Sequence, residues 1–296
     1  MTAKYGFNSR VGFGAGHNSV NSFHFWSEPA QGYYRSTDIN AAKKNMKMIA
    51  EAGVDYIIVD MTYASANGGW AYPSDTWKNH IYNPCVTLLN AITELRAQGQ
   101  KAPYVVFWPN NDSMFAGIRT QLLNVSKWKD CFVYWDGNPL ILTWNYDGVK
   151  TYKGLTVKGM NGLSGSKADY QWSYLEVNNL NAYSPTHMPV CVACQRNYMS
   201  NTSQAVGRNG GKTWYNQWKN AFEKHPKLVT VTWWNEWAAQ LLQTDIGYQF
   251  TDNFNMEYSR DIEPMKGGHG SLYYDWLCSY VKAYKAHEPC PRNFNS

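Results

Sequence analysis

The chain is 296 residues long, with 44% hydrophobic and 17% charged residues, a balance that buries a large core and excludes a disordered chain. Its net charge of +5 comes from scattered Lys and Arg, with no basic run longer than Lys43-Lys44, so the clustered stripe of a nucleic-acid binder is absent. No stretch approaches the about 20 apolar residues that a membrane-crossing helix needs.

Taken in chain order, strand-like and helix-like segments alternate. Residues 11–16, short, apolar and glycine-rich, read as a first strand. Asp38 reads as the N-cap of a helix through 41–50, with Met46, Ile49 and Ala50 at helical spacing and Gly53 as the stop. The β-branched run 54–60 reads as a buried parallel strand. A helix around 86–98 leads to a strand at 104–108, and a helix around 114–123 leads to strands at 132–135 and 140–144. Further strands are expected at 155–159, 189–193 and 228–233, helices at 214–223 and 271–287, and a weakly marked last strand within 248–254.

Such alternation means βαβ units and a parallel sheet. The length suits one α/β barrel, so the expected fold is a single (β/α)8 TIM barrel over residues 1–296. A doubly wound sheet is the competitor. Gly12-Phe-Gly-Ala-Gly16 superficially suits its phosphate loop, but His17-Asn-Ser does not start a helix.

The aromatic content stands out, at 14 Trp, 22 Tyr and 11 Phe, or 16% of the chain. A sugar ring presents a C–H face that stacks on an indole and a rim of hydroxyls that seek polar groups. About half of the indoles are therefore expected to line a cleft, the rest to pack the core. The six cysteines include the Cys191/Cys194 pair, read as buried thiols within a strand, and Cys278 and Cys290, positioned to staple the last helix.

In a barrel, chemistry sits at the C-terminal ends of strands. Asp60 ends the second strand, and Trp108 with Asp112 follows the third. Trp144 and Asn145 end the next, Arg196 follows the strand from Pro189, and Trp233-Trp-Asn-Glu-Trp237 ends the strongest strand. Carboxylates, amides and indoles together suit glycoside hydrolysis. That reaction needs an acid for the leaving oxygen and a second carboxylate for the anomeric carbon. Glu236, flanked by Trp234 and Trp237, is the first choice for the acid, because an apolar surround favours the protonated form. Its bland alternative is a carboxylate capping a helix that follows. Asp60 is second, weighed against a merely structural Asp. The loop 255–270 concentrates Glu257, Arg260, Asp261, Glu263 and His269, with Glu263 the spare carboxylate. There is no G-x-S-x-G elbow, Walker A loop or H-E-x-x-H motif.

Gly32-Tyr-Tyr-Arg-Ser-Thr-Asp38, Ala52-Gly-Val-Asp-Tyr-Ile-Ile-Val-Asp60, Trp234-Asn-Glu-Trp237 and Asp261-Ile-Glu-Pro264 together resemble motifs of the barrel glycoside hydrolases related to endo-α-mannosidases and fungal α-1,3-glucanases (mutanases). The resemblance implies a (β/α)8 barrel, endo action and a catalytic Glu236. The mannosidase-like pattern sets a second Glu three residues further on. Here that position is Ala239, so the second carboxylate is sought at Asp60 or Glu263.

The expectation is thus a glycoside hydrolase acting on a polysaccharide or oligosaccharide. Glu236, Asp60 and Glu263 are its catalytic candidates. Trp108, Trp144, Trp233 and Trp234 are its stacking surfaces, and Asp112, Asn145, Arg196, Asn235 and Asp261 its hydroxyl contacts. No cofactor, metal, nucleic acid or membrane is called for, and a secreted monomer with its leader removed is expected, since polymeric glycans are met outside cells. Two alternatives stand: a glycan-binding barrel that has lost a carboxylate, and a polysaccharide lyase using Tyr198 with Arg196.

Overall fold

The structure is a computed structural model and describes residues 23–62, 71–161, 169–194, 204–244, 247–250 and 255–293. The expected first strand at 11–16, Arg196 and Tyr198 lie outside these residues. The chain forms two compact units, one of residues up to Tyr33 and from Gly162 onward, the other of Tyr34–Asn161.

The first unit opens with β1 (Phe23–Phe25). The second unit then runs through α1 (Ile39–Glu51), β2 (Tyr56–Met61), α2 (Asp75–Trp77), α3 (Asn83–Ala97), β3 (Tyr104–Pro109), α4 (Asp112–Ile118), β4 (Tyr134–Trp135), β5 (Asn138–Thr143), α5 (Tyr146–Val149) and β6 (Thr156–Asn161). Asp38 caps α1 as expected, accepting from the N–H groups of Asn40 and Ala41 at 2.9 and 3.2 Å. Gly53 takes the left-handed φ of +82° that ends the helix, a conformation that costs glycine least. Strands β2, β3, β5 and β6 pair in parallel in that order, as strands joined by helices should, but β2 is half-buried from Tyr56 to Val59 with Asp60 exposed, not buried as expected. The segment 132–135 departs from expectation. Its two-residue strand β4 forms an antiparallel hairpin with β5 across Asp136-Gly137, both at positive φ. Helices α1 and α3 are tied by the Lys43–Glu94 ion pair at 2.5 Å.

The remainder of the first unit contains β7 (Gln171–Ser173), β8 (His187–Cys191), α6 (Lys212–Lys224), β9 (Leu228–Thr232), β10 (Ala238–Thr244), β11 (Gly247–Phe250) and α7 (Leu272–Lys285). Strands β8 and β9 are parallel, with His187 opposite Leu228 and Cys191 opposite Thr232. The chain directly after Glu236 forms no helix but continues into β10. Strand β10 pairs antiparallel with β1 on one side and with β11 on the other. The weakly marked last strand is therefore one arm of a hairpin, not a further parallel strand.

Most indoles prove to be core. Ten of the 13 Trp among the described residues are buried, so the expectation that half line a cleft is corrected. The amphipathic helix α6 explains part of this. Trp214, Trp218 and Phe222 recur at i, i+4, i+8 and meet Tyr280 of α7 at 5.7, 5.8 and 6.5 Å. Cys191 and Cys194 are buried thiols, and burial pushes Cys191 up from the ordinary thiol range. Cys290 stands as a thiol that donates to the Pro291 carbonyl at 3.8 Å.

One buried group of this core makes stability depend on acidity. His187 on β8 is fully buried, lies 2.9 Å from Thr230 Oγ1 through Nε2 and stacks on Trp172 at 4.9 Å. Burial disfavours the charged ring and lowers its pKa to about 3. The unfolded chain takes up the proton first. The stabilisation is present above the ordinary His value of 6.5 and is lost as pH falls from there towards 3. Thermal melting at about pH 7.5 and about pH 4.5 should show a larger loss for wild type than for His187→Gln. Equal losses would count against this role.

Candidate active site

The first unit carries two of the three candidate catalytic residues, Glu236 and Glu263. Strand β9 ends at buried Thr232, and the next five residues, Trp233–Trp237, bend at Trp234 and run between two flanking segments. On one side lies Arg260–Pro264. Its Ile262 and Glu263 N–H groups donate to the Trp234 carbonyl at 3.0 and 2.9 Å. On the other side lies Trp26. Its indole N–H donates to the Glu236 carbonyl at 2.9 Å, its backbone N–H donates to the Trp237 carbonyl at 3.1 Å, and its ring stacks on Trp237 at 5.9 Å.

Two buried carboxylates lock this segment. Asp261 is 0% exposed, and its Oδ1 accepts both the Trp233 indole N–H, at 3.0 Å, and the Glu236 backbone N–H. Glu263 is 2% exposed. Its Oε2 accepts from Asn235 Nδ2 and Trp237 Nε1, and its Oε1 accepts from Gln31 Nε2 at 2.6 Å. Glu236 itself is half-buried. Its backbone is held at both the N–H and the C=O, which positions the carboxyl.

The charges around Asp261 are unusual. Arg208 donates through Nη2 to Ser259 Oγ at 2.8 Å and to the Asp261 carbonyl at 2.9 Å, with its guanidinium 4.1 Å from the centre of the Tyr273 ring. The fully buried Arg260 guanidinium sits 3.7 Å from the centre of the Trp233 ring. These cations and the two N–H donors favour an ionised Asp261, yet burial outweighs them and lifts its pKa to about 7. Among the described residues Asp261 Oδ2 has no hydrogen-bond partner, which leaves that oxygen available for the proton.

Glu263 therefore acts as a clamp whose two oxygens are both engaged. In Glu263→Gln the amide oxygen can serve the Asn235 and Trp237 donors, which turns the NH2 group towards the Gln31 donor. Chemical denaturation should show a loss of about 1–3 kcal/mol, the cost of a buried donor without an acceptor. No loss would mean that these contacts do not hold the segment.

Sequence reasoning brings Trp233, Trp234, Asn235, Glu236, Asp261 and Glu263 to one locus, and the structure gathers all six. It adds Trp26, Gln31 and Arg208, which no local pattern marks because the site partners of their side chains are 51 or more residues away. Ala239, where the resemblance leads one to look for a second Glu, is buried on β10 opposite His24.

The second unit gathers the remaining candidates at the C-terminal ends of its parallel strands. Asp60 is exposed, accepts from the Thr62 N–H at 2.7 Å and lies in register with Trp108. Trp108 is 2% exposed and stacks on Trp144 at 5.3 Å with 27° between the rings. Asn145 Nδ2 donates to Asp112 Oδ1 at 3.2 Å, while Asn145 Oδ1 caps α5 through the Gly148 N–H at 3.2 Å. Among the described residues no group of three or more His, Cys, Asp and Glu is arranged to hold a metal ion. No described helix is long and apolar enough to cross a membrane.

No family model matches the chain, and no curated protein matches it in sequence. Among solved structures it is similar to the GH99 endo-α-mannosidase from Bacteroides thetaiotaomicron, with TM-score 0.56 and 14% identity over 95% of this chain and 91% of that one. The structure of the GH99 endo-α-mannosidase from that organism in complex with bis-tris-propane gives TM-score 0.55 and 14% identity, covering 88% of this chain and 89% of that one. A glycoside hydrolase-like protein gives TM-score 0.51 and 11% identity, covering 88% and 90%. At these identities the likeness is one of fold, and it agrees with the family resemblance that the motifs carry.

Proposed function

We propose that the protein is a glycoside hydrolase, acting within a polysaccharide or glycoconjugate chain, with Glu236 as general acid/base. One observation carries the reading. In a chain sharing the fold of an endo-α-mannosidase, Glu236 follows a parallel strand on a backbone fixed from both sides by Asp261 and Trp26. In hydrolysis the acid gives its proton to the leaving glycosidic oxygen while water's oxygen becomes bonded to the anomeric carbon, directly or after a covalent intermediate. Asp60 and Glu263 are the candidates for the second carboxylate. If Glu263 serves as the clamp described above, Glu263→Gln loses stability together with turnover, whereas Asp60→Asn loses turnover alone. Trp233, Trp234, Trp108 and Trp144 are read as sugar-stacking surfaces, with Asn235, Asn145, Asp112 and Arg196 as hydroxyl contacts. The burial of Asp261 gives it a positioning role in place of the hydroxyl contact expected from sequence. A single (β/α)8 catalytic domain, secreted and monomeric, is the form that suits this activity.

One observation favours a second reading, a glycan-binding protein without catalysis: Ala239, not a carboxylate, follows Glu236 by three residues and is buried. Incubation with a panel of neutral and anionic polysaccharides separates the two. New reducing ends support the hydrolase. Retention without cleavage supports the binding protein, and ultraviolet absorbance of an unsaturated uronide would instead identify a lyase.

A further inference from the structure

The second unit holds a feature that the proton-transfer chemistry does not require. Trp144, at the end of β5, is 42% exposed even though one face of its ring is stacked on the buried Trp108. The opposite face must therefore account for much of that exposure. A single exposed indole is ordinary on a protein surface. This one is braced from beneath by a second indole and held in place by a backbone N–H bond from Asn145 to Thr143 Oγ1 at 3.0 Å. Beside it stands a polar pair suited to vicinal hydroxyls, the Asn145 amide and the Asp112 carboxylate, 3.2 Å apart. The end of β2 adds one more carboxylate, Asp60, while Asp147 in the first turn of α5 is ion-paired with Lys150 at 2.6 Å.

We propose that Trp144, backed by Trp108 and flanked by Asn145 and Asp112, is a platform for one pyranose ring of a neutral glycan, and that its acidic surround rejects uronic acids. The ligand class rests on the glycoside hydrolase reading, and the selectivity follows from charge. A neutral ring lays its C–H face on the indole and shares hydroxyl hydrogen bonds with the pair. A uronate brings a carboxylate towards Asp112 and Asp60, a repulsion that discriminates against it.

The test is titration calorimetry on Glu236→Gln, which removes turnover as a confounder, with mannohexaose, maltohexaose, cellohexaose and hexagalacturonate as probes. The expected result is binding of at least one neutral hexasaccharide and none of hexagalacturonate. Adding Trp144→Ala should weaken the neutral ligand at least about tenfold with an unchanged melting temperature, and Trp144→Phe should keep most of the affinity. Asp112→Asn should improve hexagalacturonate binding, most clearly at low salt. The proposal is overturned if no neutral probe binds, if Trp144→Ala binds as tightly as its parent, or if hexagalacturonate binds as well as the neutral probes. Failure of the hydrolase reading looks different. There, enzyme with native Glu236 releases no reducing ends, or Glu236→Gln keeps full activity, while the Trp144 dependence of binding persists.

Discussion

Asp261→Ala is expected to destabilise the protein by about 3–5 kcal/mol at about pH 8, the cost of breaking a buried charged network by removing one member. Three consequences add up. The Trp233 indole N–H and the Glu236 backbone N–H lose the oxygen that accepts both, and the carboxylate facing Arg208 and Arg260 disappears. Turnover should fall by about two orders of magnitude in the fraction that folds, since the Glu236 backbone N–H then loses its Asp261 acceptor. Asp261→Asn keeps an acceptor oxygen and should be milder in both respects.

The two variants also differ in their response to pH. The folded state holds the Asp261 proton up to about 7, against 3.8 for the free group. The native state therefore binds more protons than the unfolded state across that interval. The stabilisation is complete below 3.8 and is lost as pH rises through 7. Asp261→Asn should remove this alkaline loss, leaving the opposite trend set by His187. Equilibrium denaturation of wild type and both variants across about pH 5 to about pH 8.5 measures the cost and its slope together. A stable Asp261→Ala with full activity would dismiss the latch.

What sequence makes legible here is what is local. The cap at Asp38, the stop at Gly53 and the β-branched runs of β3 and β9 are each decided by a few neighbouring residues. The W-N-E-W motif is equally local, and it stands just after the end of β9, where a strand end is expected. The hairpin of β10 and β11 is not local. Ala-Ala-Gln-Leu-Leu-Gln-Thr has the composition of a helix, and pairing with β1, more than 200 residues earlier, overrides that preference. The clamps on Glu263 fail for the same reason, because Gln31 lies 232 residues from its partner. Indoles mislead in a different way. Trp214 and Trp218 carry a helical period that marks core, whereas Trp144 has no periodic signature and is exposed.

The central claim is that Glu236 transfers the proton in glycosidic cleavage. Its direct test is the turnover ratio of wild type to Glu236→Gln on the glycan that wild type degrades, with melting temperatures measured alongside. A loss of about 10²–10⁴-fold at unchanged melting temperature is the predicted result, the range that general acid catalysis contributes. Full activity in Glu236→Gln on that same glycan would contradict the assignment.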